Sequence, residues 1–578
     1  MTVAVWTLGL LALGTLFARR TSGPVAAGYA VIAFLGIELL VLLVNPLLRV
    51  PLPWTEAAVW TIAVVFAIVH AVRAPRSRPT LRTVLTAVAA ASGAGILVAS
   101  LALAQVLPGA LRIEWAMNSD AVNVVVFSRE LLEAGGISPQ ASETPTPLPY
   151  AMVASAAAPG RATVADASLA AHDITALAAV WVFMLAVCAV LAGAVVAAGA
   201  HRARTAVAVI LTAAGSILTL SWYVLGVQFQ FGFVTVAFSI ALLLASWLVY
   251  LDGRRRPVLA LTALIVATAA TFAVWSPLVV CIVPLGIVLL VRSWHAVVAT
   301  GWRGLLAPAG ATAFVLVYLG GFGLPVFLRA SPFLSADGGF PPIGPGTILA
   351  VLGLTGATTA LAARLGRGSD ALTGILALGG GFTAGLAFLL AQRFGFDVIW
   401  GYYPAKFSWT VSIVLIVIAL GAVGALLENA TLARPVEIIA TVSGGMLIAG
   451  LMWAPTEPQD PLGQMPLVGI LRGDALGLVS GQADAVLPHT GQASGTTVFW
   501  GTPYDRWANL WLLQLHPRTD DDGLTLRALA YAPGWSTEDL CTVARLVDGP
   551  VTVFSANPEA ADLVREACPD ERVEVVPF

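Results

Sequence analysis

The sequence predicts a polytopic α-helical membrane protein of about 14 transmembrane helices that ends in a soluble α/β domain. Three observations carry this expectation. The chain has 578 residues, of which 58% are hydrophobic and only 11% charged, with a mean hydropathy of +0.88; a water-soluble core cannot hide that much apolar surface. Apolar stretches near the length needed to cross a bilayer recur along residues 1–453. Beyond 453 the composition shifts, and residues 454–578 carry 17 of the 32 acidic residues.

In order, the candidate spans are 3–18, 25–44, 54–72, 84–107, 175–199, 205–224, 231–250, 258–274, 276–291, 304–327, 346–363, 371–391, 407–426 and 436–453. The third, and the adjoining pair 258–274 and 276–291, are interrupted or short. With the N-terminus outside, one set of loops holds sixteen basic residues, among them Arg19, Arg20, Arg73, Arg254, Arg255, Arg256 and Arg434. The opposite set holds seven: Arg49, Arg112, Arg129, Arg161, Arg329, Arg393 and Lys406. That asymmetry is a positive-inside pattern. The first span has no basic residue before it and is followed by Arg19 and Arg20, so it reads as a retained helix rather than a cleaved signal.

This topology puts three regions in the outer compartment: the loop 108–174, the short loop 392–406, and the tail 454–578. The inward loops are short and carry no glycine-rich phosphate cradle, which argues against nucleotide-driven chemistry on that side. The lipid bilayer is the expected environment, and no nucleic acid is expected as a partner.

The first outer loop contains "NSDAVNVVVFSRELLEAGGISP". Val122, Val125, Val126, Leu131 and Leu132 recur at helical spacing, and a Gly-Gly pair followed by Pro supplies a stop. A short amphipathic helix is expected, with Ser119 or Asp120 as its N-cap. For Asp120 the capping role and a functional role are both open at this point. Arg129 and Glu130 read by default as solvated surface charges.

An acidic residue just after a span, then an amphipathic helix bearing an Arg, then Gly-Gly and Pro resembles the first outer loop of the GT-C class of membrane glycosyltransferases. A multispan body followed by an outward soluble domain is similar to the actinobacterial cell-wall arabinofuranosyltransferases. The resemblance implies transfer of a sugar from a polyprenyl-phosphate donor to a cell-envelope glycan acceptor on the outer face of the cytoplasmic membrane, with an Asp or Glu of this loop as catalytic base. Asp120 is the matching position and Glu114 a second candidate. Many members of the class pair their acidic residues here, whereas "NSDA" has one, so use of a divalent metal stays open. No other cofactor is implied.

The chemistry asks for the same groups. A sugar phosphate already has a good leaving group, so one carboxylate to deprotonate the acceptor hydroxyl and fixed cations beside the departing phosphate suffice. The outward face offers Lys406, Arg393 and Arg129 as donor-phosphate-binding residues. Lys406 is the only lysine among 30 Lys and Arg residues, and it stands in "WGYYPAKFSW" at the start of a span. Two readings compete: a lysine that snorkels to the headgroups beside an aromatic belt, or a compact ammonium selected to bind phosphate. Tyr402, Tyr403, Asp397 and Glu56 are placed as cavity-lining residues, with Asp397 able to pair with Arg393 if that stretch is helical. Glu38, inside a span, is expected as a protonated carboxyl bonded to a neighbouring helix. His70, His201 and His295 lie toward inward ends, and no metal-ligand spacing is present.

In the tail, "DRWANLWLLQLHP" reads as an amphipathic helix, and "STEDLCTVARLVDG", "PVTVFSAN", "PEAADLVREAC" and "RVEVVPF" as helix, strand, helix and strand. Cys541 and Cys568 fall in neighbouring helices of a compartment that permits a disulfide. "TDDDG" at 519–523 reads as a solvated turn. Two other functions fit a multispan chain: a flippase for lipid-linked oligosaccharide, or a noncatalytic subunit of a cell-envelope complex. The absence of an internal repeat, and a polar inventory carried mostly by the outward loops and tail, weigh against the transporter.

Overall fold

The computed structural model describes residues 2–73, 80–106, 113–138, 144–338, 345–365, 369–427, 467, 471, 481–490, 495–516, 521–532, 534–569 and 572–578. Among the described residues up to 427 every regular element is a helix. Helices α1 (Thr2–Ala18), α2 (Gly23–Leu48), α3 (Leu52–Arg73) and α4 (Leu81–Val106) precede the first large loop. That loop contains α5 (Ala121–Glu133) and α6 (Pro147–Ala157). Next come α7 (Asp166–Gly199), α8 (Thr205–Leu218), a π-helical turn at Trp222–Gly226, α9 (Val227–Phe231) and α10 (Val234–Asp252). The membrane body closes with α11 (Pro257–Trp275), α12 (Val279–Ala299), α13 (Gly301–Tyr318), α14 (Leu324–Ala330), α15 (Pro345–Arg364), α16 (Ser369–Ala391) and α17 (Tyr402–Leu427).

Eleven helical segments among the described residues are long and apolar enough to cross a membrane, so the chain is a polytopic helical membrane protein. The difference from the fourteen spans of the sequence count has three sources. The first helix is 17 residues, under the length of a full crossing. The pair expected at 258–274 and 276–291 forms one run, Pro257–Ala299, divided by a tight turn at Ser276–Leu278. Span 436–453 lies outside the described residues.

Helices α7, α10 and α17 form the centre, with most of their side chains buried. Helices α3, α13 and α15 instead expose Ile62, Phe66, Leu316, Val317, Leu349 and Leu361, the apolar outer surface that a helix presents to lipid. Two glycines allow α7 and α17 to touch backbone to backbone: a Cβ on Gly199 would lie 2.3 Å from the Gly421 carbonyl oxygen. Small residues at such crossings let membrane helices gain close packing where no hydrophobic drive exists.

The two ends of the bundle differ in charge chemistry. At one end Asp173 of α7 holds Arg129 at 2.7 Å and Arg161 at 3.1 Å, and α17 begins at Tyr402. At the other end Arg254 and Arg292 each reach Asp370 at 2.8 Å, Arg256 pairs with Asp252 at 2.7 Å, and Arg82 donates to the Ala200 carbonyl. These arginines belong to the loops that the charge pattern assigned to one side.

Glu38 lies in the apolar interior and accepts from the Trp60 indole at 2.6 Å, as expected for a carboxyl bonded to a neighbouring helix. Its other neighbour corrects an expectation. Glu56 does not line an open cavity; it is buried against Glu38, accepting from the Trp6 indole and the Ser155 hydroxyl at 2.7 Å each. Through Trp6, Trp60 and Ser155 the two neighbouring carboxyls tie α1, α2, α3 and α6 together.

The tail supplies α18 (Gln482–Val486), strand β1 (Thr496–Trp500), α19 (Asp505–Gln514), α20 (Asp521–Leu529), α21 (Thr537–Leu546), β2 (Val551–Ser555), α22 (Ala560–Ala567) and β3 (Val573–Pro577). The strands pair in parallel in the order β1-β2-β3, with Val498 opposite Val553 and Val553 opposite Val575. Helices cross over between successive strands, as parallel pairing requires. Both expected strands and all three expected helices are present. β1, α18 and α20 are additions, and Asp521 and Asp522 open a helix where a solvated turn was expected. Cys541 and Cys568 form a disulfide between α21 and the end of α22.

Glu38→Gln keeps an acceptor for Trp60 and a donor toward Glu56, and is expected to leave stability nearly unchanged. Glu38→Ala strands the Trp60 N–H and opens a void, and should cost about 3 kcal/mol, read as a lowered unfolding temperature of the detergent-purified protein.

Candidate functional site

The site forms where the first loop meets the start of α17. Asp120 stands at the first position before α5, but its carboxylate makes no capping bond to the helix; the capping role open from the sequence is not the one it adopts. Instead Oδ2 accepts from the Tyr402 hydroxyl at 3.3 Å. That hydroxyl in turn accepts from Lys406 Nζ at 3.2 Å. Tyr402 and Lys406 are four residues apart, hence on one face of the first turn of α17. A carboxylate, a phenol and an ammonium therefore form one line, and no direct ion pair joins its ends.

Local backbone chemistry holds the line in place. Ser119, just before Asp120, has φ of +40°, a region costly to a residue with a side chain and often retained near functional groups. The Asp120 N–H donates to the Phe231 carbonyl at 3.4 Å. Gly232 follows with φ of +68°, and a Cβ there would lie 2.3 Å from the Ala121 nitrogen; only glycine lets the end of α9 close onto the Asp120 turn. Beyond it, the Phe233 ring lies 3.8 Å from Lys406 Nζ, with Trp275 at 5.6 Å on another side. An ammonium that leaves water gains from such ring faces.

Lys406 is thus buried inside the body of the protein, which corrects the reading of a lysine snorkelling among headgroups. Arg393 is also corrected. It is 1% exposed, and its guanidinium donates to the Val398, Ser335 and Ala336 carbonyls and pairs with Asp337. With its donors turned to the protein it has no face for a phosphate; it fastens the turn that delivers Tyr402. Asp397 is exposed in a non-helical turn, so the expected Arg393–Asp397 pair gives way to Arg393–Asp337. Arg129 lies on the face of α5 away from Asp120 and is bound to Asp173. Glu114 is buried and accepts the Ala483 N–H at 3.0 Å, which commits it to holding the tail.

Tyrosines surround Asp120. Tyr402 and Tyr403 pack edge to face at 4.7 Å. Tyr150 of α6 stacks on Phe127 at 5.6 Å, and Tyr531, just after α20, bonds Asn123 at 2.9 Å. Tyr150 and Tyr531 both lie close enough to feel the Asp120 charge. Burial pushes the Tyr531 phenol up to about 12 and moves that of Tyr150 upward too, so both stay neutral donors. Burial also raises Asp120 above the ordinary carboxylate range, with Lys406 and then the Tyr402 bond opposing it. Among the described residues no three His, Cys, Asp or Glu side chains group as metal ligands.

No model of a known protein family matches this chain, and no curated protein matches it. The case for function therefore rests on the residues themselves. Of those singled out in the sequence, the structure brings together Asp120, Tyr402, Tyr403 and Lys406; it places Glu114, Arg129, Arg393, Asp397 and Glu56 elsewhere. Tyr150, Phe233 and Tyr531 are additions that no local motif marks. The glycine in "FQFGF" is the one sequence signal of the turn that closes on Asp120.

The tail docks on this loop through Glu114 and through the Trp511 indole, which donates to the Met117 carbonyl at 2.8 Å. Removing the side-chain partners with Glu114→Ala and Trp511→Phe should weaken docking by about 1.5 kcal/mol. Amide exchange at Ala483 and along α19 is expected to quicken about tenfold while α7 stays as protected as before.

Proposed function

We propose that this protein is an inverting glycosyltransferase. It moves a sugar from a polyprenyl-phosphate carrier to a cell-envelope glycan at the outer face of the cytoplasmic membrane, with arabinofuranose the sugar that the resemblance suggests. The observation that carries the reading is the Asp120–Tyr402–Lys406 line, surrounded by tyrosines where the first loop meets the start of α17. Two further features support it. The disulfide-bearing tail packs on the same loop, and disulfides belong to oxidising compartments. The arginine-rich end of the bundle lies opposite, as the positive-inside rule asks of a cytoplasmic face.

The chemistry runs in one displacement. The Asp120 carboxylate takes the proton of the acceptor hydroxyl as that oxygen bonds to the anomeric carbon. The bond from this carbon to the phosphate oxygen breaks on the opposite face, and its electron pair leaves with the carrier phosphate. The ammonium of Lys406 stabilises the negative charge gathering there. Tyr402 keeps base and cation from collapsing into an ion pair and leaves each for its own partner. Inversion follows from a single displacement with one carboxylate, in contrast to the paired carboxylates of retaining glycosidases.

Asp120→Asn is expected to lower turnover about a thousandfold in a purified transfer assay with a polyprenyl-phosphate sugar, with expression and fold retained. Lys406→Ala and Lys406→Arg should both abolish transfer, since a planar fork does not fit the three-ring pocket built for a point charge; full activity of the arginine variant would sink the assignment.

The rate should fall on acidification at a pH above the usual carboxylate range, because the working form of Asp120 is the unprotonated one and burial favours protonation. Tyr402→Phe removes a bond that favours the charged form, so its acid limb should move to still higher pH. An unchanged limb in that variant would disconnect Tyr402 from the base.

A further inference from the structure

A long apolar groove runs down the side of the bundle between α1, α2, α4 and α7, apart from the Asp120–Tyr402–Lys406 line. It encloses about 1110 Å³. Its lining follows α7 from Ala171 to Leu191 and α1 from Val3 to Ala18. Twenty residues of helix rise about 30 Å, which is the thickness of the hydrocarbon core. Along α7 the groove is therefore about as long as the hydrocarbon core is thick.

Its chemistry is equally specific. Among the described residues no charged side chain lines it, and the polar ones there are Thr7, Thr15, Gln105 and Thr175. Many of the rest are glycine and alanine, which leaves width for a branched chain. An ordinary acyl chain fills one leaflet, about half of this length. A chain that passes the midplane in one piece is longer and unbroken by a headgroup.

One end of the groove meets the loop of the candidate site. Ile113 and Trp115 line that end, and Trp115 precedes Asp120 by five residues. The Trp115 ring lies 4.6 Å from that of Phe229, two residues before the Phe231 carbonyl that holds the Asp120 N–H. The opposite end opens between Ala18 and Gly23.

We infer that this groove holds one long polyisoprenoid chain, with its phosphate end at the Trp115 mouth and its tail running toward Ala18. The inference rests on the polyprenyl-phosphate reading and adds where the carrier chain lies. Chain and phosphate are then recognised separately, the chain by α1, α2, α4 and α7 and the phosphate by Lys406. Apolar burial favours the longer chain at roughly 0.8 kcal/mol per methylene-sized group removed from water, a preference reduced where the competing environment is lipid.

The test uses the full protein in phosphatidylglycerol nanodiscs, with native mass spectrometry against undecaprenyl phosphate and against the two-isoprene analogue geranyl phosphate. Ala179 faces the groove and is exposed, so Ala179→Trp narrows it without disturbing the core; Ala27→Trp, from α2, is the second variant, and unfolding temperatures check both. Either variant should weaken undecaprenyl phosphate retention at least tenfold and leave geranyl phosphate unchanged, whereas Lys406→Ala should weaken both. Retention of undecaprenyl phosphate by both folded variants at the wild-type level would overturn the inference, as would recovery of phosphatidylglycerol alone from the wild type. Groove-dependent retention without any sugar transfer would keep the lipid site and remove the transferase reading.

Discussion

The ammonium of Lys406 lies inside a helical bundle whose solvent is lipid, and the architecture around Asp120 is arranged to keep it there. A buried charge costs several kcal/mol unless it is paired or otherwise compensated. Compensation comes from three directions: the Tyr402 oxygen at 3.2 Å, the Phe233 ring face at 3.8 Å, and the field of Asp120 beyond Tyr402. Each brings a different segment to one point. Tyr402 requires the start of α17, Phe233 requires the turn at Gly232, and Asp120 requires the first loop.

The supporting parts follow from that requirement. Arg393 fastens the turn before α17 through Val398 and the 335–337 segment, and so aims Tyr402. Gly232 permits the backbone contact that seats the Asp120 turn on α9. Glu114 and the Met117 carbonyl secure the tail, which contributes Tyr531 to the rim. A membrane bundle can also hold ionisable groups by pairing them with each other, and Glu38 with Glu56 is that case. Its hydrogen-bond partners are two indoles and a hydroxyl buried between the helices. The contrast separates a carboxyl pair used for fastening from a carboxylate held available.

Much of this was legible in the residues. The helix over 121–133 follows from valines and leucines at helical spacing, and the β2 and β3 strands from short β-branched runs between turn signals. Lys406 was marked by its solitude, and Asp120 by its place before that helix. The roles of the other charges were not legible. Arg393 and Lys406 look alike in sequence, both basic and near one loop, yet one faces four protein acceptors and the other an aromatic pocket. Glu56 stands near a span end and still points inward. Side-chain direction on a helix depends on which neighbour packs against each face, and those neighbours come from 20 to 280 residues away, as in the Tyr402–Asp120 bond.

By itself, then, the sequence determined the membrane class, the charge asymmetry of its loops, the loop helix and the α/β character of the tail. All of these depend on local composition and periodicity, which survive in one dimension. Only the tertiary structure decided that Asp120, Tyr402 and Lys406 meet, that Arg393 and Glu114 are fasteners, and that four helices leave a long apolar groove between them. Those outcomes depend on the compensation of buried charge and on small residues at helix crossings, which exist only between segments distant in the chain.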